Sequence, residues 1–197
     1  MKTGLFFGSF NPIHIGHMAI ANYMLEYTSL DEIWLVVSPH NPLKEKTTLL
    51  DDRNRLYMVR LAVEDDPRFR ACDIEFSLPK PSYTIDTMSF LSEKYPGREF
   101  SLIMGEDNLC TLHKWKNPEE LVKRYRIYAY PRMNVVKKEN QTLKNILSLA
   151  DITTVNAPVM EISGTFIRDA IKEGKDIGWF MPATVWKYIQ EMHYYEK

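Results

Sequence analysis

The sequence predicts an α/β fold: a doubly wound parallel sheet with helices on both faces and a small helical C-terminal part. Two observations predict it. Short apolar runs alternate with stretches of helical spacing along the chain, strand then helix throughout. The early strand runs, Gly4-Leu5-Phe6-Phe7 and Ile33-Trp34-Leu35-Val36-Val37, are apolar at consecutive positions, as in strands buried on both faces. At 197 residues the chain suits one domain, since domains run about 100–200 residues. Its helical C-terminal portion spans about 163–197.

Each element has a local reason. Gly4 to Phe7 is the first strand. Ile20, Met24 and Tyr27, with Ala21 and Leu25 beside them, give a helical stripe after His17. The second strand, Glu32 to Val37, is stopped by Ser38-Pro39-His40-Asn41-Pro42. Leu43 to Leu50 is polar and lysine-bearing and reads as a mobile loop. Asp51 or Asp52 caps a helix in which Leu56, Val59 and Val63 share a face. Phe69 to Phe76 offers a third, less regular strand, and Pro79-Lys80-Pro81 breaks the chain. Ser82 caps a helix with Thr84, Met88, Leu91 and Tyr95 on one face. Glu99 to Met104 is a fourth strand, ending at Gly105.

Asn117-Pro118 pairs a cap with a first-turn proline for a short helix to Arg124, and the strand Arg126 to Tyr130 follows. Leu143 to Leu149 is helical and Ile152 to Val155 is the last strand. Ser163 opens another helix, with Ile162 and Ile167 placed as a hydrophobic staple and Gly174 as its stop. Pro182 starts a final helix with Val185, Ile189 and Met192 on one face. This arrangement is Rossmann-like, and such sheets bind ligands at the carboxyl ends of their strands.

Charge and composition narrow the partners. Lys and Arg number 25 against 26 Asp and Glu, a net charge of -1. There is no overall cationic field to recruit nucleic acid or an anionic membrane. No apolar run reaches the ~20 residues of a membrane span. The run after Met1-Lys2-Thr3 is broken at Gly8, too soon for a signal peptide. Cys72 and Cys110 lie far apart in no metal-like spacing. The expectation is a cytoplasmic protein; a homo-oligomer is compatible with it.

The stretch Gly8-Ser9-Phe10-Asn11-Pro12-Ile13-His14-Ile15-Gly16-His17 joins the first strand to its helix. His14 and His17 fall on one face at a helix N-terminus, where free N–H groups already attract anions. A bound triphosphate would meet backbone amides and two imidazoles together. Far along the chain, Ile162-Ser163-Gly164-Thr165-Phe166-Ile167-Arg168 repeats the device with two hydroxyls and a guanidinium. Lys44, in the loop after the second strand, can neutralise charge on phosphates. Asp107, just past Gly105, can accept from a ribose hydroxyl or an adenine amine. Trp115, flanked by His113, Lys114 and Lys116, can stack on a planar ring. The histidine pair has no third ligand nearby, so no metal site is expected among these residues.

These stretches resemble the nucleotidylyltransferase signatures G-x-F-x-P-x-H-x-G-H and I-S-x-T-x-x-R. The middle of the chain, Ser82-Tyr83-Thr84-Ile85-Asp86-Thr87 with Gly105-Glu106-Asp107 and Trp115, looks like the bacterial nicotinate-nucleotide adenylyltransferases. The resemblance covers essentially the whole chain. It implies transfer of the adenylyl group of ATP to nicotinate mononucleotide, with Mg2+ accompanying ATP, by in-line attack and no covalent enzyme intermediate. It implies that His14, His17, Lys44 and Arg168 are the catalytic set. Gly8, Ser9, Phe10, Gly105, Asp107, Ser163 and Thr165 would bind ATP, and Thr84, Trp115 and Lys116 the mononucleotide.

Three departures stand out: Gly164 in place of a common second serine, Tyr130-Pro131-Arg132-Met133 in place of Arg-Pro-Gly, and Leu43 where a histidine is frequent. The competing readings are an adenylyltransferase for nicotinamide mononucleotide or phosphopantetheine, and a non-catalytic nucleotide sensor on the same fold. A cytidylyltransferase would usually carry R-T-x-G-I-S-T-T, which this sequence lacks.

Overall fold

The computed structural model describes residues 1–39, 49–133, 135 and 140–196. Its strands are β1 (Lys2–Gly8), β2 (Glu32–Val37), β3 (Phe69–Cys72), β4 (Glu99–Gly105), β5 (Ile127–Tyr130) and β6 (Ile152–Thr154). They form one 6-stranded sheet in the order β3-β2-β1-β4-β5-β6, and every neighbouring pair is parallel. Chain progression reverses between β1 and β4, which opens a crevice at their carboxyl ends. β1 and β2 are interior strands, and so they carry apolar residues on both faces: Leu5, Ile33, Leu35, Val36 and Val37 are fully enclosed.

The helices are α1 (Ile15–Tyr27), α2 (Asp52–Val63), α3 (Thr84–Lys94), α4 (Glu106–Thr111), α5 (Pro118–Arg124), α6 (Gln141–Leu147), α7 (Gly164–Lys172) and α8 (Ala183–Glu191). Two cores flank the sheet. One joins Ile20 and Met24 of α1 to Leu56 and Val59 of α2, Ile167 of α7 and Val185 and Ile189 of α8. The other gathers Ile85, Met88 and Leu91 of α3 with Leu121 of α5 and Ile146 of α6. The doubly wound parallel sheet of the sequence reading is therefore present, with helices on both faces.

Some local expectations are corrected. Tyr27 is 72% exposed, and the buried face of α1 runs through Ile20, Ala21, Met24 and Leu25. At about 100° per residue Tyr27 lies only about 20° from Ile20, but the buried face is centred between Met24 and Ala21, about 90° from Tyr27, so Tyr27 falls at its edge in the last turn. Phe69 to Phe76 is not one strand: β3 ends at Cys72 and a 3-10 turn covers Ile74–Phe76. Ser82 does not cap α3. Tyr83 takes the N-cap position, and the Ser82 hydroxyl donates to the Glu75 carboxylate at 3.0 Å. Met192 ends the last helix half-exposed. Past Gly105, where the sequence marks no element, the chain forms α4, followed by a 3-10 turn at Leu112–Lys114. Asp51 is the cap of α2, accepting from the Arg53 N–H at 3.0 Å.

Candidate active site

The turn after β1 is built from inside outward. Phe10 has φ 44, a left-handed conformation that costs a side-chain-bearing residue energy. Burial holds it there: the ring is 1% exposed and packs edge-on against Phe6 at 6.1 Å. It lies so close under the strand that a Cβ on Gly8 would sit 2.8 Å from it. Glycine at position 8 therefore makes room for Phe10 as well as for a ligand.

His14 is the N-cap residue of α1, and its ring stacks on His17 with 3.7 Å between centroids. The His14 N–H donates to Nδ1 of His17 at 3.3 Å. A neutral His17 then carries its proton on Nε2. His14 is 5% exposed, and its Nδ1 is buried with no hydrogen-bond partner among the described residues. Burial, helped by the charge of Arg132, lowers its pKa to about 4. At neutral pH this imidazole is uncharged.

The second signature meets the first at α7. Ser163 caps the helix, its hydroxyl accepting from the Phe166 N–H at 3.1 Å. Arg168 donates from Nη1 to the carbonyl oxygen of Asn11 at 2.8 Å and from Nη2 to the Thr165 hydroxyl at 3.3 Å. The Asn11 side-chain oxygen accepts from the Leu50 N–H at 3.2 Å and from the Tyr195 hydroxyl at 2.8 Å. Asn11 thus ties the turn to the head of α2, to α7 and to the chain beyond α8. A Cβ on Gly164 would lie 2.8 Å from the Asn11 carbonyl oxygen. That contact explains why serine is absent there.

Both signatures open onto one cavity of about 780 Å³ at the carboxyl ends of β1 and β4. Of the residues expected from the sequence, Gly8, Ser9, Phe10, His14, His17, Asp107, Ser163, Thr165 and Arg168 line it, as do Thr84, Trp115 and Lys116. Gly105 is not on the cavity wall. It sits behind Asp107 and Arg132, where a Cβ would come 2.3 Å from the Asp107 carboxylate. Lys44 lies outside the described residues. Lys116 is held by Asp86 at 2.7 Å, and its Nζ stands 4.8 Å from the centre of the Tyr83 ring. Trp115 packs its inner side against the α3–α5 core.

Among the other wall residues, Arg132, Tyr130 and Glu75 were given no site role in the sequence reading. Arg132 approaches Asp107 at 3.8 Å from the end of β5; only the departure from Arg-Pro-Gly drew attention to it. Tyr130, two residues before it, is half-buried, and the loss of solvent around its hydroxyl pushes the pKa up to about 12. Glu75 is 3% exposed, and its carboxylate accepts from the hydroxyls of Ser82 at 3.0 Å and Thr87 at 2.8 Å. A carboxylate inside an apparent strand carries no sequence signal of this kind. Among the described residues no cluster of three His, Cys, Asp or Glu side chains could hold a metal ion.

The cytidylyltransferase-like family model matches residues 5–170. A relative from Flavobacterium johnsoniae, named probable nicotinate-nucleotide adenylyltransferase, is 56% identical over 197 residues, covering 100% of both chains. The chain belongs to the nicotinate-nucleotide adenylyltransferase family. A Bacteroides thetaiotaomicron relative of the same name is 48% identical over 191 residues, 97% of this chain and 92% of the relative. Among solved structures, Plasmodium falciparum nicotinic acid mononucleotide adenylyltransferase complexed with NaAD superimposes with a TM-score of 0.79. It is 21% identical, covering 98% of this chain and 97% of that one, and the likeness is one of fold. Within this adenylyltransferase family, the departures at Gly164 and Arg132 fall on the walls of the cavity.

Proposed function

We infer that the protein transfers the adenylyl group of ATP to nicotinate mononucleotide, giving deamido-NAD and pyrophosphate in NAD biosynthesis. One observation carries the reading: a single cavity has an anion-binding wall and an aromatic wall. The first wall combines the N-termini of α1 and α7 with His14, His17 and Arg168. The second pairs Trp115 with the head of α3, whose N-cap residue makes no side-chain cap hydrogen bond. First-turn amides left open there suit a carboxylate better than a carboxamide.

The chemistry follows from this pairing. A phosphate oxygen of the mononucleotide attacks the α-phosphorus of ATP. A new P–O bond forms, the bond from the α-phosphorus to the bridging oxygen breaks, and pyrophosphate departs with the electron pair. Catalysis is then positioning plus stabilisation of charge moving toward the leaving group. A neutral His14 and an Nε2-protonated His17 donate hydrogen bonds without a fixed charge. Arg168 supplies a fixed charge, and Trp115 stacks on the pyridine ring.

Mg2+ belongs to the same reading. The carboxylates on the described cavity wall are Asp107 and Glu75, and Glu75 is engaged by two hydroxyls. This donor set suits a cation carried on triphosphate oxygens, with Asp107 at hand, rather than one caged by protein. Bound there, it would neutralise phosphate charge. Among the described residues no helix is long and apolar enough to cross a membrane, which accords with a cytoplasmic enzyme.

The test is pyrophosphate release with ATP and, separately, nicotinate mononucleotide, nicotinamide mononucleotide and pantetheine phosphate. The acid mononucleotide gives the highest kcat/KM. Equal rates with the amide would defeat the substrate assignment.

A further inference from the structure

Arg55 lies in the second turn of α2, outside the cavity wall, and its side chain is fully buried. Its guanidinium donates to four carbonyl oxygens. Nε bonds to Leu50 at 2.8 Å, Nη1 to Ser38 at 2.9 Å and also to Ser9, and Nη2 to Pro39 at 3.3 Å. Those oxygens come from three separate stretches: the signature turn after β1, the chain leaving β2, and the chain entering α2. β1 and β2 are neighbours in the sheet, and the Ser38 N–H donates to the Gly8 carbonyl at 2.9 Å. Arg55 therefore bridges the carboxyl ends of both strands from behind.

Among the described residues the direct partners of this buried ion are carbonyl dipoles. Among the described residues no carboxylate lies within ion-pair distance of it. The side chains of Asp52, Tyr195 and Asp51 act on it at a distance, without an ion pair among the described residues. A buried charge with no counter-ion is costly to keep even when it is hydrogen-bonded. Lysine could not make this fork, because its ammonium is a point charge with no planar array of donors. A simple core position would be served by an apolar side chain. The cost is offset where an anion sits in front of the turn that the guanidinium holds.

We propose that Arg55 is a positioning residue of the triphosphate site, fixing the Ser9 turn for ATP and placing a buried positive charge behind it. It touches no substrate and acts through the Ser9 carbonyl. The inference rests on the cavity's being a triphosphate site, not on which mononucleotide is the second substrate.

The experiment uses the whole protein with inorganic tripolyphosphate and with ATP. Arg55→Lys and Arg55→Met are expected to raise KM for ATP about tenfold or more while KM for the mononucleotide moves less than about twofold. The rise in Tm that tripolyphosphate gives the wild type shrinks by half or more in each variant. An ATP KM and a tripolyphosphate shift like those of wild type, in either folded variant, would overturn the proposal. So would equal rises in both KM values, which mark general loosening. Should neither variant fold, the wild-type protein decides: the Arg55 Nε–H resonance must move when tripolyphosphate binds, and a resonance that stays put overturns the assignment. A wild type whose Tm tripolyphosphate does not raise would instead defeat the triphosphate reading of the cavity.

Discussion

Arg168 donates to the main-chain oxygen of Asn11 at 2.8 Å, joining two signatures that stand 157 residues apart. One guanidinium therefore both shapes the turn and faces the cavity. Arg168→Ala is expected to lower kcat/KM about 10²–10³-fold, because a charge aimed at the phosphates and a brace on the turn disappear together. Arg168→Lys recovers part of the charge but not the two-point contact with Asn11 and Thr165. Steady-state kinetics check this, and a Lys variant with wild-type kcat/KM would remove the bracing role.

His17→Ala should cut kcat by about 10²–10⁴-fold in a protein that still folds. His17 is only partly buried; its ring meets Phe6 and Phe10 edge-on, stacks on His14 and accepts from the His14 N–H, so some stability goes with it. Circular dichroism alongside turnover separates the two effects. A folded variant with near-normal turnover would sink the phosphate role of this imidazole.

His14 gives a pH signature. Its folded pKa of about 4 lies below its unfolded value near 6.5, so the unfolded chain binds more protons between those limits. Stability is full above pH 6.5 and falls as pH drops toward 4, by about 3 kcal/mol from this group. The groups facing the ring are His17, stacked on it, and Arg132. Denaturant unfolding as a function of pH should show a shallower slope in His14→Gln. Identical slopes would mean that another group sets the trend.

Gly164 tests the tight seam between α7 and the signature turn. Alanine in a helix ordinarily gains about 0.5–1 kcal/mol over glycine. Here the added carbon meets a backbone oxygen at 2.8 Å. Overpacking of this kind costs about 1–3 kcal/mol, so the clash wins. Gly164→Ala, and Gly164→Ser still more, should lower Tm and reduce kcat. A serine variant with raised activity would show that the missing hydroxyl matters more than the seam.

Trp115→Ala should weaken the mononucleotide about tenfold or more, as loss of a stacked aromatic does, and leave ATP within about twofold. Separate KM values, with each substrate varied at saturation of the other, report the split. Equal losses would remove the stacking assignment.

The sheet was legible because parallel strands buried on both faces leave continuous apolar runs, as Ile33 to Val37 does. The first signature was legible because glycine, proline and histidine at a strand-to-helix turn have few other uses, and the second because Ser163, Thr165 and Arg168 gather two hydroxyls and a guanidinium at a helix start. What could not be read depends on contacts between distant segments. Nothing in the neighbourhood of Arg55 marks it as the buried member of an arginine-rich helix; that follows from Ser9, Ser38, Pro39 and Leu50 turning their carbonyls inward. Ser82 looks like a cap until Glu75 folds beneath it. The helix past Gly105 has six residues, too few for a hydrophobic period to declare itself.

The Tyr195 hydroxyl fills an acceptor site on Asn11. During synthesis, residue 11 leaves the ribosome long before residue 195 exists. This bond to the turn that announces the enzyme in its sequence therefore closes only after Tyr195 has been made, so one fastening of an early segment is left to a late one.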